Sequence, residues 1–180
     1  MIKKNLFSLR LLTSACFLLS VFFAEAQQPV KLTDPEVASA AVTANQIDIE
    51  FAEIAFRQSN NKEVLNFAKT MSNDHKAVIA QAVALATKLK VTPKTNYLTR
   101  SLLTDAEKTK KRLQSNKGEA FDKMYIENEV AYHKAVIAAV ETILIPQSEN
   151  SELKKLLENV VPALRTHLAH AEMIQKMVHK

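Results

Sequence analysis

Residues 62–89 read KEVLNFAKTMSNDHKAVIAQAVALATKL, and this stretch decides the fold class. Its apolar side chains recur every three or four residues, the spacing that places them on one face of an α-helix. The helix is predicted to end near residue 89, because the residue before Pro93 avoids the α region. Such a long helix with one apolar face must pack against other helices. The apolar face comprises Val64, Ala68, Met71, Val78, Ile79, Ala82, Ala86 and Leu89.

The same spacing predicts three further long helices on either side of this stretch. The first begins at residues 33–36, where TDPE forms a capping box with a proline in the first turn. We expect the third helix to stop before Pro146 and the fourth to kink at Pro162, since proline cannot donate a backbone hydrogen bond. The predicted ranges are 34–59, 119–145, and 150 or 151 to the C-terminus.

A long connection over residues 90–118 separates the second and third long helices. A second capping-box pattern, TDAE at 104–107, predicts a short extra helix over residues 105–114. The chain contains a single glycine, Gly118, which favours long helices over sheets and hairpins. We therefore predict an all-α, ferritin-like four-helix bundle with a short helix in its middle connection. This pattern leaves open whether the second and third long helices run parallel or antiparallel.

The first 26 residues are predicted to be a cleaved signal peptide. Basic residues precede an apolar run over 11–23, and AEA at 24–26 forms a small-x-small cleavage pattern. The alternative, a lipoprotein modified at Cys16, fits less well because most of the apolar run follows this cysteine. One domain over residues 27–180 would remain, located in the periplasm or associated with the outer membrane. It contains no second apolar stretch long enough to span a membrane.

Charge and cysteine content exclude several classes of function. The formal net charge of the chain is +5, and its densest basic cluster, residues 108–112, adjoins Glu107. A solvated helix face explains this cluster, and we predict no nucleic-acid binding, which would need a larger basic face. Cleavage would remove the only cysteine, so neither disulfides nor thiol chemistry is expected. An envelope protein partner is compatible with these features.

Polar residues interrupt the predicted apolar faces near the middle of each long helix. His75, His133 and His167 are each centred on an apolar stripe, and Asp48 borders the core side of the first helix. Glu129 lies one turn before His133, and His170 lies on the flank of the apolar face of the fourth helix. Because the helices have similar lengths, their midpoints coincide in a bundle whichever direction each helix runs. The sequence therefore predicts that these side chains converge at one level of the core.

Three interpretations of this convergence remain open at this point. Imidazole and carboxylate groups together suit a divalent transition metal such as copper, zinc, iron or manganese. A closed Asp/Glu–His hydrogen-bond network without a cofactor would also satisfy buried polar groups, as would another ligand. A ferritin-like di-iron site requires Glu three residues before two of the histidines. Ser72, Val130 and Leu164 occupy the positions three residues before the histidines, so a single softer ion is favoured over two irons.

Several short motifs resemble a known family. They are DIE at 48–50, FA at 67–68, DH at 74–75, LKVTP at 89–93, FD at 121–122 with Tyr125 and later His133, and PALRTHL at 162–168. Together they are similar to the secreted bacterial family called domain of unknown function 4142. The resemblance covers nearly all of the chain after the leader. It implies a ferritin-like helical bundle in the cell envelope, often described as an outer-membrane protein, and it implies no particular activity.

The predicted function is that of an envelope bundle that binds a transition metal. The predicted ligands are His75, His133, His167, Asp48 and Glu129, with His170 as a further candidate. The alternative is a structural or interaction module whose core holds a polar network. No catalytic residue is predicted, because no nucleophile–base pattern is evident, and an enzyme is the least favoured of the three classes.

Overall fold

The computed structural model describes residues 31–179, which form helices joined by short links. The predicted signal peptide lies outside the described residues. No strand occurs between residues 31 and 179, and no helix in that range is long and apolar enough to cross a membrane. The helices are α1 (Asp34–Gln58), α2 (Lys62–Leu89), α3 (Tyr97–Gln114), α4 (Gly118–Ala139), a π-helical turn (Val140–Leu144), α5 (Ile145–Gln147) and α6 (Ser151–Val178).

Side-chain caps set the start of most of these helices. The Glu36 carboxylate accepts hydrogen bonds from the backbone N–H and the hydroxyl of Thr33, which confirms the predicted start of α1. Asn61 and Asn150 cap α2 and α6 by accepting hydrogen bonds from backbone N–H groups of the first turn. Each cap satisfies amide groups that have no partner within the helix.

The helix over the middle connection is longer than the sequence indicated. We expected it to begin near residue 105, but α3 begins at Tyr97, capped by the Asn96 carboxamide oxygen at 3.0 Å from the Thr99 nitrogen. Asn96 also donates to the Glu36 carbonyl, which ties the start of α3 to α1. Thr104 therefore lies inside the helix, where its hydroxyl donates to the Arg100 carbonyl. The prediction was wrong because a tertiary contact strengthens the earlier cap.

The position of α3 decides the direction of the helices that follow it. Hydrogen bonds join successive residues of α3 to successive residues of α1: Thr99 to Ser39, Lys110 to Glu50, and Gln114 to Gln58. Hence α3 runs along α1 in the same direction and returns the chain to the end of the bundle where α2 began. As a result, α4 runs parallel to α2, and α6 runs parallel to α1, the arrangement of a four-helix bundle with one long crossover.

Pro146 does not end the third long helix where the sequence predicted. The third long helix was expected to stop before Pro146, yet the chain continues through the π-helical turn into α5, which contains this proline. In that turn the Ile145 N–H donates to the Val140 carbonyl five residues earlier. This wider turn brings the chain to a residue that has no amide hydrogen. Pro162 lies inside α6, which is continuous from end to end.

The core consists of two apolar clusters with a polar layer between them. One cluster surrounds Phe51, Phe67 and Tyr125, and the other surrounds Val37 and Leu157. Between their levels lie the middle parts of α1, α2, α4 and α6, which hold the buried aspartate and histidines. The four-helix architecture thus brings the polar residues of each helix to one height.

Candidate functional site

The polar layer contains five side chains that the sequence predicted to converge. Asp48 on α1 and Glu129 on α4 are fully buried, and the three histidines are at most 6% exposed. The imidazole ring centroids lie 5.3 to 5.9 Å from one another, which brings α2, α4 and α6 together at this level. The convergence of His75, His133 and His167 is therefore present in the structure.

The Asp48 carboxylate lies between two of the rings. Its Oδ2 atom is 3.3 Å from His75 Nε2 and 3.6 Å from His133 Nε2. Glu129 lies on the other side of His133, with its Oε2 atom 3.6 Å from the Nδ1 atom of that ring. Neither carboxylate forms a hydrogen bond to another residue among those described. Both carboxylates can therefore accept a cation or a proton.

His75 is oriented by Asn45, which lies one turn before Asp48 on α1. The Asn45 amide nitrogen donates to the Ala41 carbonyl at 2.8 Å, so its carboxamide oxygen faces His75 Nδ1 at 2.7 Å. Because a carboxamide oxygen can only accept, His75 Nδ1 carries a hydrogen. In the neutral ring, Nε2 then keeps its lone pair and points it toward Asp48.

The other two rings are held in the same way. His133 Nδ1 lies 3.0 Å from the Glu129 carbonyl oxygen, so it donates and leaves Nε2 free. His167 Nε2 lies 3.0 Å from the Asp74 carboxylate, so it donates and leaves Nδ1 free. Each histidine therefore has one nitrogen bound to an outer acceptor and one unpaired nitrogen in the core. Metal-binding histidines are usually oriented by such an outer hydrogen bond.

The possible ligand atoms of the layer form two overlapping groups. One ligand atom from each of His75, His133 and His167 lies within 4.8 Å of the others, and the same holds for Asp48, Glu129 and His133. The buried atoms without a hydrogen bond include His75 Nε2, His133 Nε2 and His167 Nδ1, together with both oxygens of each carboxylate. A buried polar atom without a partner costs ~1–3 kcal/mol. This donor set fits one divalent transition-metal ion.

The protonation states of the layer follow from burial and charge. Burial opposes ionisation of Asp48, but the three surrounding imidazoles outweigh it and hold the pKa of this carboxyl below its ordinary value. Burial, reinforced by the charge of Asp48, raises the pKa of Glu129 well above its ordinary value. Burial also lowers the pKa of His133 and His167. Burial therefore favours the neutral forms of Glu129, His133 and His167, while the Asp48 carboxylate stays ionised.

His170 lies apart from these groups. Its ring packs edge-on against Phe67, with 5.3 Å between the ring centroids. It is only partly buried, and it belongs to neither group of converging ligand atoms. Of the six residues that the sequence singled out, His170 is thus the one that the structure keeps outside the layer.

Sequence reasoning missed the two outer residues, Asn45 and Asp74. Asn45 lies three residues before Asp48, so the helical period could have placed it on the same face. Asp74 is adjacent to His75 in sequence and points toward α6, where it meets His167. No spacing rule within α2 could have indicated that contact, because it depends on how α2 and α6 pack.

Comparison with known proteins yields one family and two fold neighbours. The family model described as "Domain of unknown function (DUF4142)" matches residues 22–174. A solved structure of a DUF305 protein from Streptomyces coelicolor, described as secreted, superposes with a TM-score of 0.69 at 10% identity, covering 81% of this chain and 93% of that chain. CopM in its Cu(II)-bound form superposes with a TM-score of 0.59 at 16% identity, covering 81% of this chain and 98% of that chain.

These neighbours establish the fold alone, since both identities are low. The helical bundle predicted from the sequence is confirmed by them and by the described helices. The search of curated proteins gave no significant match.

Proposed function

This chain belongs to the DUF4142 family, and we propose that it is an exported helical bundle that binds one divalent transition-metal ion. The proposed ligand atoms are His75 Nε2, His133 Nε2, His167 Nδ1 and a carboxylate oxygen of Asp48. Glu129 is the second carboxylate within reach. Export rests on the leader predicted over residues 1–26, and location in the periplasm or at the outer membrane is a prediction from the same segment.

The observation that supports the proposal best is that unpaired imidazole nitrogens of the layer face an unpaired carboxylate oxygen of Asp48. Two atoms that both carry lone pairs repel unless a proton or a metal ion lies between them. His75 Nε2 and Asp48 Oδ2 are 3.3 Å apart, and His133 Nε2 approaches the same oxygen at 3.6 Å. A proton on one ring would serve one such contact and leave His167 Nδ1 without a partner. One metal ion would serve all four groups.

The chemistry of the donors favours copper or zinc over iron or manganese. Three imidazoles and one ionised carboxylate suit the borderline ions, whereas a site for iron or manganese is usually richer in carboxylates. For a given site, Cu²⁺ binds more tightly than Zn²⁺ or the earlier divalent ions of the first transition row. A fold neighbour is known in a Cu(II)-bound form, which is compatible with this choice. We therefore expect Cu²⁺ to bind most tightly.

The burial of the ligands supports a binding role over a catalytic one. The bound ion would offset the charge of Asp48 and link four helices. The three histidines and Asp48 are all buried, so none of them is presented directly to the solvent. An enclosed site of this kind is suited to holding an ion or to stabilising the bundle. We expect the metal-loaded protein to have a higher melting temperature than the metal-free protein.

Metal content and titration test the proposal directly. Residues 27–180 would be produced without an affinity tag, stripped with a chelator and titrated separately with Cu²⁺, Zn²⁺ and Mn²⁺. We expect one equivalent of Cu²⁺ per chain, with affinity decreasing from Cu²⁺ to Zn²⁺ to Mn²⁺. Electron paramagnetic resonance of the Cu²⁺ form would report nitrogen ligands.

Two glutamine variants of α6 provide the matched comparison. His167→Gln removes a proposed ligand, while His170→Gln changes the same residue type three positions later, outside the layer. We expect the first variant to bind Cu²⁺ at least tenfold more weakly and the second to bind as the parent protein does. If none of the three ions binds the parent more tightly than micromolar, the proposal fails. The layer would then be the structural polar network, with His75 protonated against Asp48.

A further inference from the structure

The second half of α2 differs from the rest of the bundle in how it is packed. Its apolar residues keep helical spacing, yet no residue of α2 after His75 is buried. The side chains of Val78, Ile79 and Leu85 are only partly buried, although they face the other helices. Well-packed interiors contain few voids larger than a water molecule. This half of the helix therefore borders a space that protein atoms do not fill.

That space is a cavity of about 270 Å³ lined by residues of α1, α2, α3, α4, the π-helical turn and α6. An apolar cavity of ~150 Å³ is known to stay dry and to bind benzene, so by proportion this cavity accommodates about ten non-hydrogen atoms. Its walls are aliphatic along most of its length. They include Ala82 and Leu89 of α2, Ala139 of α4, Leu144 of the π-helical turn, and Leu157 and Val160 of α6.

The cavity is elongated. Its lining follows α2 from Asp74 to Leu89, which is ~20 Å at 1.5 Å per residue. An extended aliphatic chain can contact the lining over much of this length, whereas a compact ring system of similar carbon number would leave most of it empty.

The unpaired polar atoms of the cavity lie at one end. Asp48, His75, His133 and His167 line it at the middle of the bundle. The other end is lined by Asp34, whose carboxylate already accepts hydrogen bonds from the backbone N–H groups of residues 149 and 150. A ligand with one polar group would therefore place that group at the histidine layer and its apolar part toward the far end.

We propose that this cavity binds a linear aliphatic chain of about ten carbons with a small hydrogen-bond-donating head group, such as a hydroxyl, directed toward the unpaired acceptor atoms of the histidine layer. The inference does not depend on a bound metal, because the aliphatic walls and the length of the cavity are properties of the helices themselves. Burial of the chain would be driven by the removal of apolar surface from water, on both the ligand and the second half of α2.

The test uses two primary alcohols of similar carbon number and different shape. Chelator-treated residues 27–180 would be titrated calorimetrically with decan-1-ol, below its solubility limit, and with 1-adamantanemethanol. We expect decan-1-ol to bind with one equivalent and to raise the melting temperature. We expect the compact cage compound to bind at least tenfold more weakly. Failure of decan-1-ol to bind would overturn the proposal and leave the metal titration unaffected.

Variants of α2 locate the bound chain. Ala82→Phe places a ring inside the cavity, and Ala80→Phe adds the same ring to an exposed position two residues earlier. We expect the first variant to weaken decan-1-ol binding at least tenfold and the second to leave it unchanged, with folding of both checked by circular dichroism. If Ala82→Phe does not fold, Ala139→Leu fills the cavity from α4. A folded, cavity-filled variant that binds decan-1-ol as tightly as the parent would contradict the proposal.

Discussion

Replacement of Asn45 by alanine tests whether metal affinity depends on the orientation of His75 as well as on the presence of the ligand residues. Asn45 is not a proposed ligand, but its carboxamide oxygen lies 2.7 Å from His75 Nδ1 and holds the hydrogen on that nitrogen. Without this acceptor, the His75 ring can rotate or carry its hydrogen on Nε2, the atom proposed to bind the ion. The variant leaves the three histidines and Asp48 in the sequence.

Two effects are expected, and their sizes follow from the contacts. Loss of an outer hydrogen bond to a metal-binding histidine typically lowers affinity 10- to 100-fold, which corresponds to ~1.4–2.7 kcal/mol. In the metal-free protein, the buried His75 Nδ1–H loses its partner, at a cost of ~1–3 kcal/mol. For a domain of this size, that destabilisation lowers the melting temperature by roughly 2–12 °C.

A chelator competition assay on the parent protein and the Asn45→Ala variant would measure the first effect, and thermal unfolding the second. Asn66→Ala is the matched control, since Asn66 is exposed on α2 and distant from the layer. We expect the control to match the parent protein in both assays. A folded Asn45→Ala protein that binds Cu²⁺ with unchanged affinity would refute the argument that the orientation of His75 matters to the site.

Three further outcomes are expected. His133→Leu should leave the metal-free protein at least as stable in urea as the parent protein, because it removes a buried unpaired nitrogen. The same variant should abolish stabilisation by Cu²⁺. Retained stabilisation would exclude His133 as a ligand. Burial raises the pKa of Asp122 despite its hydrogen bond from Ser59. The folded state therefore holds the proton more tightly than the unfolded state does. The stability that this proton contributes is lost as pH rises from about 4 through the raised pKa. Asp122→Asn should therefore gain stability over the parent protein as pH rises from 3 to 7 in urea titrations, and a constant difference would contradict this. Asn96→Ala should lower the free energy of unfolding by ~1–2 kcal/mol through loss of the α3 cap, and an unchanged value in urea titration would show that the cap contributes nothing.

Much of the fold could be predicted because it depends on local rules. Helical spacing in residues 62–89 and the capping pattern at Thr33 predicted α1 and α2 to within about a residue. The same rules misplaced the start of α3, predicted from Thr104, and the end of the third long helix, predicted from Pro146. Asn96 prevailed over Thr104 because it also bonds to α1, and the chain accommodated Pro146 by a change to π-helical hydrogen bonding. A contact distant in sequence decided the first case, and a local change of hydrogen-bond pattern accompanied the second.

The candidate site also has features that the sequence predicted and features that it did not. Helical period alone placed His75, His133, His167 and Asp48 on core faces at matching heights, since the middle of each long helix must meet the others in any bundle. Period could not show that His170 would pack on Phe67, nor that Asp74 of α2 would hold His167 of α6. Those contacts depend on the rotation of each helix about its own axis.

The sequence by itself determined that this chain forms long amphipathic helices, and that a carboxylate and three imidazoles lie among their apolar faces. Both follow from the period of the α-helix and from the cost of exposing apolar surface. Only the tertiary structure decided that α3 climbs along α1 and sets α2 parallel to α4. It alone decided which nitrogen of each histidine is left unpaired, and that a cavity extends from the layer along α2. These features arise from packing between helices distant in sequence, and the spacing within one helix does not specify that packing.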